Sequence, residues 1–262
     1  MKKLILLCVL IGQLSVAQIS NYKFNSFNGT YTPLSNGTVW QSGAQLNSDA
    51  STLISLPKLF TIGGDTYSEV RVYSNGFITF GNGLNNGQLM PENVKYPISN
   101  TVKGWAIDYV VSAFGGNLCA SSFGSPQISY GLNPNNDFTI QFQDLSIVSS
   151  VQSRVTFQII LKGDVIEFVY GDNNKGQFNV ISPQIGLRGK SVLSDTNDAI
   201  GTKIYTYPDW QTRKVANGSN WNVLEQNPNY PNNVKGVSNS VTCSWNNTAK
   251  LPNSGLTFQW KP

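Results

Sequence analysis

A chain without histidine has few routes to catalysis, and none of these 262 residues is histidine. That removes Ser-His-Asp and Cys-His mechanisms and imidazole-held zinc or copper. Neither common glycine-rich phosphate loop is present. Carboxylate chemistry survives the filter, because glycoside hydrolysis needs only two acids facing each other across a cleft. Asp108, Asp144 and Glu167 are the acids within strand-like runs. Glu167 alternates outward on VIEFVY, as a solvated strand acid does. Asp108, set among apolar residues, reads as a buried hydrogen-bonding group that organises loop amides. No catalytic residue is therefore assigned.

Calcium prefers clustered Asp, Asn and carbonyl oxygens. Asp172-Asn173-Asn174 and Asp195-Thr196-Asn197-Asp198 are such clusters, yet both lack the glycine and distal glutamate of an EF-hand loop. Calcium stays open as a cofactor, and no metal ligand is assigned. Aromatic residues are more suggestive. Tyr205, Tyr207, Trp210, Trp221 and Tyr230 lie in or beside a polar stretch rich in Asn and Pro. Exposed rings stack on the C–H face of sugars while amides and acids bond the hydroxyls. Tyr207, Trp210, Trp221 and Tyr230 are thus the candidate ligand-binding residues; the alternative is that they roof the fold as a satellite core. Trp105 and Trp260 fall on strand faces and read as core.

Residues 1–17 (MKKLILLCVLIGQLSVA) combine a basic start, an apolar run and small residues at a cleavage position, which is the pattern of a secretory signal peptide. Cys8 lies inside the apolar run with no small residue before it, which argues against a lipid anchor there. The mature chain is expected to start at Gln18, and no later run is long and apolar enough to span a membrane. The formal charge of +4 falls to +2 once Lys2 and Lys3 are removed. With no basic cluster, nucleic acid is not an expected partner. Charged residues make up only 12% of the chain, a composition that suits an extracellular β-protein. Cys119 and Cys243 remain in the mature chain, and an exporting route can oxidise them to a disulfide. Closing that loop contributes about 4 kcal/mol in the chain-entropy model. The alternative is two buried thiols.

The elements that must position these groups are short and β-prone. Residues 67–81 (YSEVRVYSNGFITFG) read as a hairpin through Asn75-Gly76, a pair suited to a tight I′ turn. In LISLPKLF, Pro57 makes the run an edge or bulged strand. GWAIDYVV (104–111) reads as a strand carrying Asp108. FTIQFQDLSI (138–147), RVTFQIIL (154–161) and VIEFVY (165–170) alternate with period two, the last two joined at Gly163-Asp164. IGLR (185–188), residues 202–207 and GLTFQW (255–260) read as further strands. Residues 208–255 form a long polar stretch that either hides short strands or shapes a surface. No apolar stripe of helical period is sustained. The expectation is all-β: one antiparallel β-sandwich of jelly-roll type over residues 18–262.

YSEVRVYSNGFITFG, GWAID, FTIQF, RVTFQIIL, VIEFVYG, SPQIGLRG and SGLTFQWKP, in that order, resemble a domain common in secreted and surface proteins of Bacteroidetes. That domain often precedes fibronectin-like modules and a type IX secretion sorting domain. The chain is also similar, more weakly, to nidogen-like extracellular domains, through the NG-F-x-x-F-G hairpin and the YG turn. The resemblance implies an adhesive or display role without an active site. Two departures stand out. Trp105-Ala106-Ile107-Asp108-Tyr109 carries one acid where the bacterial domain often has two, and no sorting domain follows Pro262.

The functional expectation is an exported, non-catalytic binding or adhesion module, with a glycan or extracellular polymer as favoured ligand. A second expectation is a structural subunit of an envelope, secretion or gliding assembly, held by an outer-membrane or surface protein partner. A polysaccharide-degrading enzyme is the minor third. Secretion, surface display and a periplasmic location are all compatible with the signal peptide.

Overall fold

Asn, Gly and Asp recur between runs of β-branched and aromatic residues, so turn chemistry cuts the chain into short antiparallel strands. The computed structural model describes residues 19–81, 92–94, 97–98, 109–148, 150–174, 183–189, 192–194, 204–206, 210–213, 224–225 and 251–262, with backbone alone at 20, 150–152 and 192–225. Its strands are β1 (Lys23–Asn28), β2 (Thr38–Ser42), β3 (Ser51–Ile62), β4 (Asp65–Tyr73), β5 (Phe77–Phe80) and β6 (Tyr109–Gly115). There follow β7 (Leu118–Ala120), β8 (Gln127–Leu132), β9 (Phe138–Ile147), β10 (Ser150–Lys162), β11 (Val165–Tyr170) and β12 (Gln184–Arg188). The last are β13 (Val192–Ser194), β14 (Ile204–Thr206), β15 (Trp210–Arg213), β16 (Leu224–Glu225) and β17 (Leu256–Lys261).

One sheet has the order β1-β17-β11-β10-β9-β8-β2, with β7 also on β9; the other runs β16-β15-β12-β6-β5-β4-β3. β13 and β14 pair as a separate ribbon. The fold is an all-β antiparallel sandwich, as the periodicity implies. Val72, Ile78, Val111, Ile185 and Leu187 from the second sheet meet Ile140, Phe142, Ile159, Phe168 and Trp260 from the first in a single buried core. Burying each such side chain contributes about 2 kcal/mol. Phe114 stacks on Phe157 across the gap at 5.9 Å, and the Tyr170 hydroxyl crosses to the Ala113 carbonyl at 2.8 Å.

Two irregularities reset which residues face inward. In β3 the register jumps from Ser55↔Glu69 to Phe60↔Tyr67, so the run containing Pro57 is both an edge strand and bulged, as its proline requires. In β9 the pairing shifts between Phe142↔Phe157 and Leu145↔Val155, and Asp144 sits there at φ +51°. This bulge returns Leu145 and Ile147 to the core face beside Phe138, Ile140 and Phe142.

The outer faces are covered too. Segment 29–37 lies over the first sheet, where the Gln141 Oε1 atom accepts from the Tyr31 hydroxyl (3.0 Å), the Leu34 amide (2.7 Å) and Gln158 Nε2 (2.9 Å). Gln158 Nε2 also donates to the Thr32 carbonyl at 2.8 Å. On the second sheet, Tyr73 and Phe77 stack at 4.4 Å and are buried outside the central core, as are Val94, Pro97 and Ile98 of the β5–β6 connection. The Ile98 amide donates to Gln184 Oε1 at 2.7 Å, and the buried Arg188 donates from Nη1 to the Pro97 carbonyl at 2.9 Å.

The β4–β5 hairpin exists, but its turn differs from the tight form expected. Tyr73 pairs with Phe77, leaving a three-residue loop in which Gly76 alone has positive φ, at +87°. A two-residue I′ turn needs two such residues, as at Gly63 (+58°) and Gly64 (+88°) between β3 and β4. The reason is what Asn75 does instead. Its fully buried carboxamide donates to Asp49 Oδ1 (2.8 Å) and the Glu92 carbonyl (3.2 Å) and accepts from the Leu118 amide (3.2 Å). Gly76 packs so closely that a Cβ there would lie 2.4 Å from the Phe114 carbonyl oxygen.

Two consequences can be measured by denaturant unfolding. Asn75→Ala strands the Leu118 amide and Asp49 without their partner and is expected to cost about 3 kcal/mol, read as a lower midpoint at unchanged slope. Burial pushes the Tyr73 hydroxyl up to about 12 from its ordinary 10.0. The Thr79 hydrogen bond and Arg71 oppose that rise and Glu92 adds to it. The unfolded chain therefore loses this proton first, so stability should fall as pH rises from 10 towards 12, by about 3 kcal/mol, and Tyr73→Phe should remove that part of the decline.

Candidate functional site

β11 ends where Gly171 donates its amide to the Thr156 carbonyl at 2.9 Å, holding the strand exit against β10. Asn174 and Arg154 then exchange backbone hydrogen bonds of 2.8 and 2.6 Å. Between them, Asn173 reaches two ways: Oδ1 accepts from the Thr156 amide (2.6 Å) and Nδ2 donates to the Pro252 carbonyl (2.9 Å). One side chain thus ties the exit of β11 to the approach of β17, and the Gly255 amide adds a bond to the Tyr170 carbonyl at 2.8 Å.

These two segments wall a cavity of about 330 Å³ lined by Asp172, Asn173, Asn174, Leu251, Pro252, Asn253 and Ser254. Leu251 and Pro252 are buried; Asp172, Asn174, Asn253 and Ser254 are exposed. The Asp172 carboxylate lies 3.9 Å from Arg154 Nη2, and its side chain is 87% accessible. An acid, amides and a hydroxyl beside an apolar lining can hold a polyhydroxylated ligand, and the volume lies at the small-ligand end of binding cavities.

The same geometry turns this loop away from calcium. Both polar ends of the Asn173 carboxamide are already bonded, and the Arg154 guanidinium stands beside Asp172. Among the described residues no three acids or cysteines gather as a metal cluster. The loop 195–198 lies outside the described residues.

Asp144 and Glu167 do not face one another across the cleft, which neither lines. Asp144 Oδ2 accepts from the Ser125 amide (3.0 Å), and Oδ1 lies 3.8 Å from Arg154 Nε. Glu167 is turned outward as expected, half-buried, and accepts from Gln259 Nε2 at 2.5 Å. Asp108 and Trp105 lie outside the described residues, while Trp260 is fully buried in the core. GWAIDYVV is described only from Tyr109, and its strand runs on to Gly115 through Ser112, which bonds the Gln184 carbonyl.

Of the aromatic candidates, Tyr207, Trp221 and Tyr230 lie outside the described residues. Trp210 opens β15, in register with Arg188 of β12; it belongs to a sheet strand and not to an irregular loop. Cys119 stands in β7, buried, with no disulfide to any described residue, and burial pushes its thiol pKa up. Cys243 lies outside the described residues. The 251–254 wall was not foreseen, because Leu-Pro-Asn-Ser at the end of a polar stretch has no pattern that marks it.

A second hollow, of about 190 Å³, lies at the other end of β11, between the β3 bulge (Leu56, Pro57, Leu59, Phe60) and the β8–β9 turn (Leu132, Phe138). Leu59 and Leu132 are exposed there, at 68% and 43%.

A family model described as NIDO related matches residues 21–223. The chain belongs to the NIDO-related family. Membership supports the nidogen-like resemblance and an exported protein. Searches of curated proteins and of solved structures each found no match. The matched span of the NIDO-related domain stops before β17, although that strand lies between β1 and β11 in its first sheet. Among the described residues no helix is long and apolar enough to cross a membrane.

Because both polar ends of the Asn173 carboxamide are already bonded, neither calcium nor a chelator should shift the melting temperature. Asn173→Ala should lower stability by about 2 kcal/mol, because it leaves the Thr156 amide and Pro252 carbonyl unpaired. A calcium-dependent rise in melting temperature would contradict this account of the loop.

Proposed function

We propose that this NIDO-related chain is an exported, non-catalytic binding module at the cell surface, with a glycan or matrix polymer as its ligand. The cleft between 172–174 and 251–254 carries the reading. Its walls are cross-tied by Asn173, while Asp172, Asn253 and Ser254 remain exposed around it. A site held by its own scaffold loses little order on binding, which favours recognition of a weakly held polymer. The aromatic stretch around Tyr207, Trp210, Trp221 and Tyr230 precedes the 251–254 wall in the chain and adds stacking surfaces to the proposal. The order of motifs adds an origin among secreted or surface proteins of Bacteroidetes linked to type IX secretion. A Cys119–Cys243 disulfide completes the proposal and fits an oxidising compartment.

The second reading is a subunit of an envelope, secretion or gliding assembly. The exposed Leu59 and Leu132 beside the hollow under β3 favour it, because a protein partner would cover them.

A glycan array with the mature chain from Gln18 separates the two. The expected result is a polysaccharide hit that weakens roughly tenfold in Asp172→Ala with Asn253→Ala, and again in Trp210→Ala with Trp221→Ala. A blank array, or binding indifferent to both pairs, would reject the glycan reading in favour of a protein partner recovered from native envelopes.

A further inference from the structure

We infer that Asn36-Gly37 is a self-modification site, at which the chain converts an asparagine to aspartate or isoaspartate while folded. The chemistry needs only water. The Gly37 nitrogen bonds to the Asn36 side-chain carbonyl carbon, and the bond to the side-chain nitrogen breaks. That nitrogen leaves as ammonia carrying the Gly37 amide proton. Water then opens the resulting succinimide at either carbonyl. Glycine favours the step because it has no Cβ to block the approach of its nitrogen.

Asn-Gly occurs at Asn28, Asn36, Asn75, Asn82, Asn86 and Asn217. The last three lie outside the described residues, and the fold treats the other three very differently. Asn75 is fully buried, with its carboxamide held by Asp49, the Glu92 carbonyl and the Leu118 amide, so its carbonyl carbon cannot turn towards Gly76. Asn28 is the last residue of β1, in register with Leu256, and the Gly29 amide is committed to the Gly255 carbonyl at 2.7 Å. Asn36 is an exposed turn residue whose carboxamide makes no hydrogen bond among the described residues.

The location gives the reaction a structural effect. A Cβ on Gly37 would stand 2.6 Å from Leu34 Cδ2 and 3.3 Å from the Tyr130 carbonyl oxygen, so a change in the main chain there is felt first by the Leu34 side chain. Isoaspartate adds a carbon to the main chain at that point, and either product adds a negative charge. Leu34, close by, is the residue whose amide anchors segment 29–37, the strap over the first sheet, to Gln141. Modification therefore loosens the cover over the Gln141–Gln158 pair.

The test incubates the mature chain at mildly alkaline pH, once folded and once in denaturant, and maps Asn-Gly peptides for a gain of one mass unit and for isoaspartate. In the folded chain Asn36 should convert within roughly threefold of its unfolded rate, while Asn28 and Asn75 slow roughly tenfold or more because they must wait for local opening. Asn36 slowed as much as Asn75 would overturn the inference. Asn36→Gln should abolish the gain at this site and leave the other peptides unchanged. In the aged protein the Leu34 amide should exchange hydrogen faster; unchanged exchange would overturn the effect on the strap.

Discussion

The buried carboxamide of Asn75 is the constraint on which the second sheet is arranged. A polar group with no access to water must be bonded or it destabilises the fold. This one is bonded to three separate parts of the chain: the segment before β3, the β5–β6 connection and β7. The loop cannot tighten into a two-residue turn without withdrawing it. The left-handed Gly76 follows from that, and so does the approach of Gly76 to the Phe114 backbone, where the Phe114 amide bonds the Gly76 carbonyl at 3.2 Å. The hairpin is therefore a junction that joins distant segments, and its turn geometry is set by what the side chain must reach.

Amides serve the same purpose on the other sheet. Strands buried on both faces usually read as continuous apolar runs. β9 and β10 are buried on both faces yet keep Gln141 and Gln158 outward, because segment 29–37 brings backbone and hydroxyl groups that need partners. Gln141 Oε1 alone takes three donors. At the cleft, Asn173 joins two strand ends in the same way. Asparagine and glutamine, so frequent here and so easily taken for loop filler, are the cross-links of this fold.

That explains which features could be read in advance. The alternation in β9, β10, β11 and β17 needs only local pattern, and the edge position of β3 needs only Pro57. The bulge at Asp144 was invisible, because its cause is the match between β9 and β10 across Thr156. β2 and β7 have no readable pattern because Thr, Ser, Gln and Cys dilute their alternation, and pairing to a neighbour supplies what the local sequence does not; β15 is one of the short strands that the 208–255 stretch could hide. The cleft was half visible: Asp172-Asn173-Asn174 stood out as an oxygen-rich loop, but its opposing wall comes from residues 251–254, distant in the chain and without a motif of their own.

The position of β17 bears on timing. Among the described residues β1 finds its ladder partner only in β17, from Lys23↔Lys261 to Asn28↔Leu256, so two strands far apart in sequence must meet before the first sheet is complete. Contacts of such long sequence separation slow folding. A polypeptide emerging in order from its N-terminus carries Phe24 without its ring partners Phe258 and Trp260 until β17 arrives.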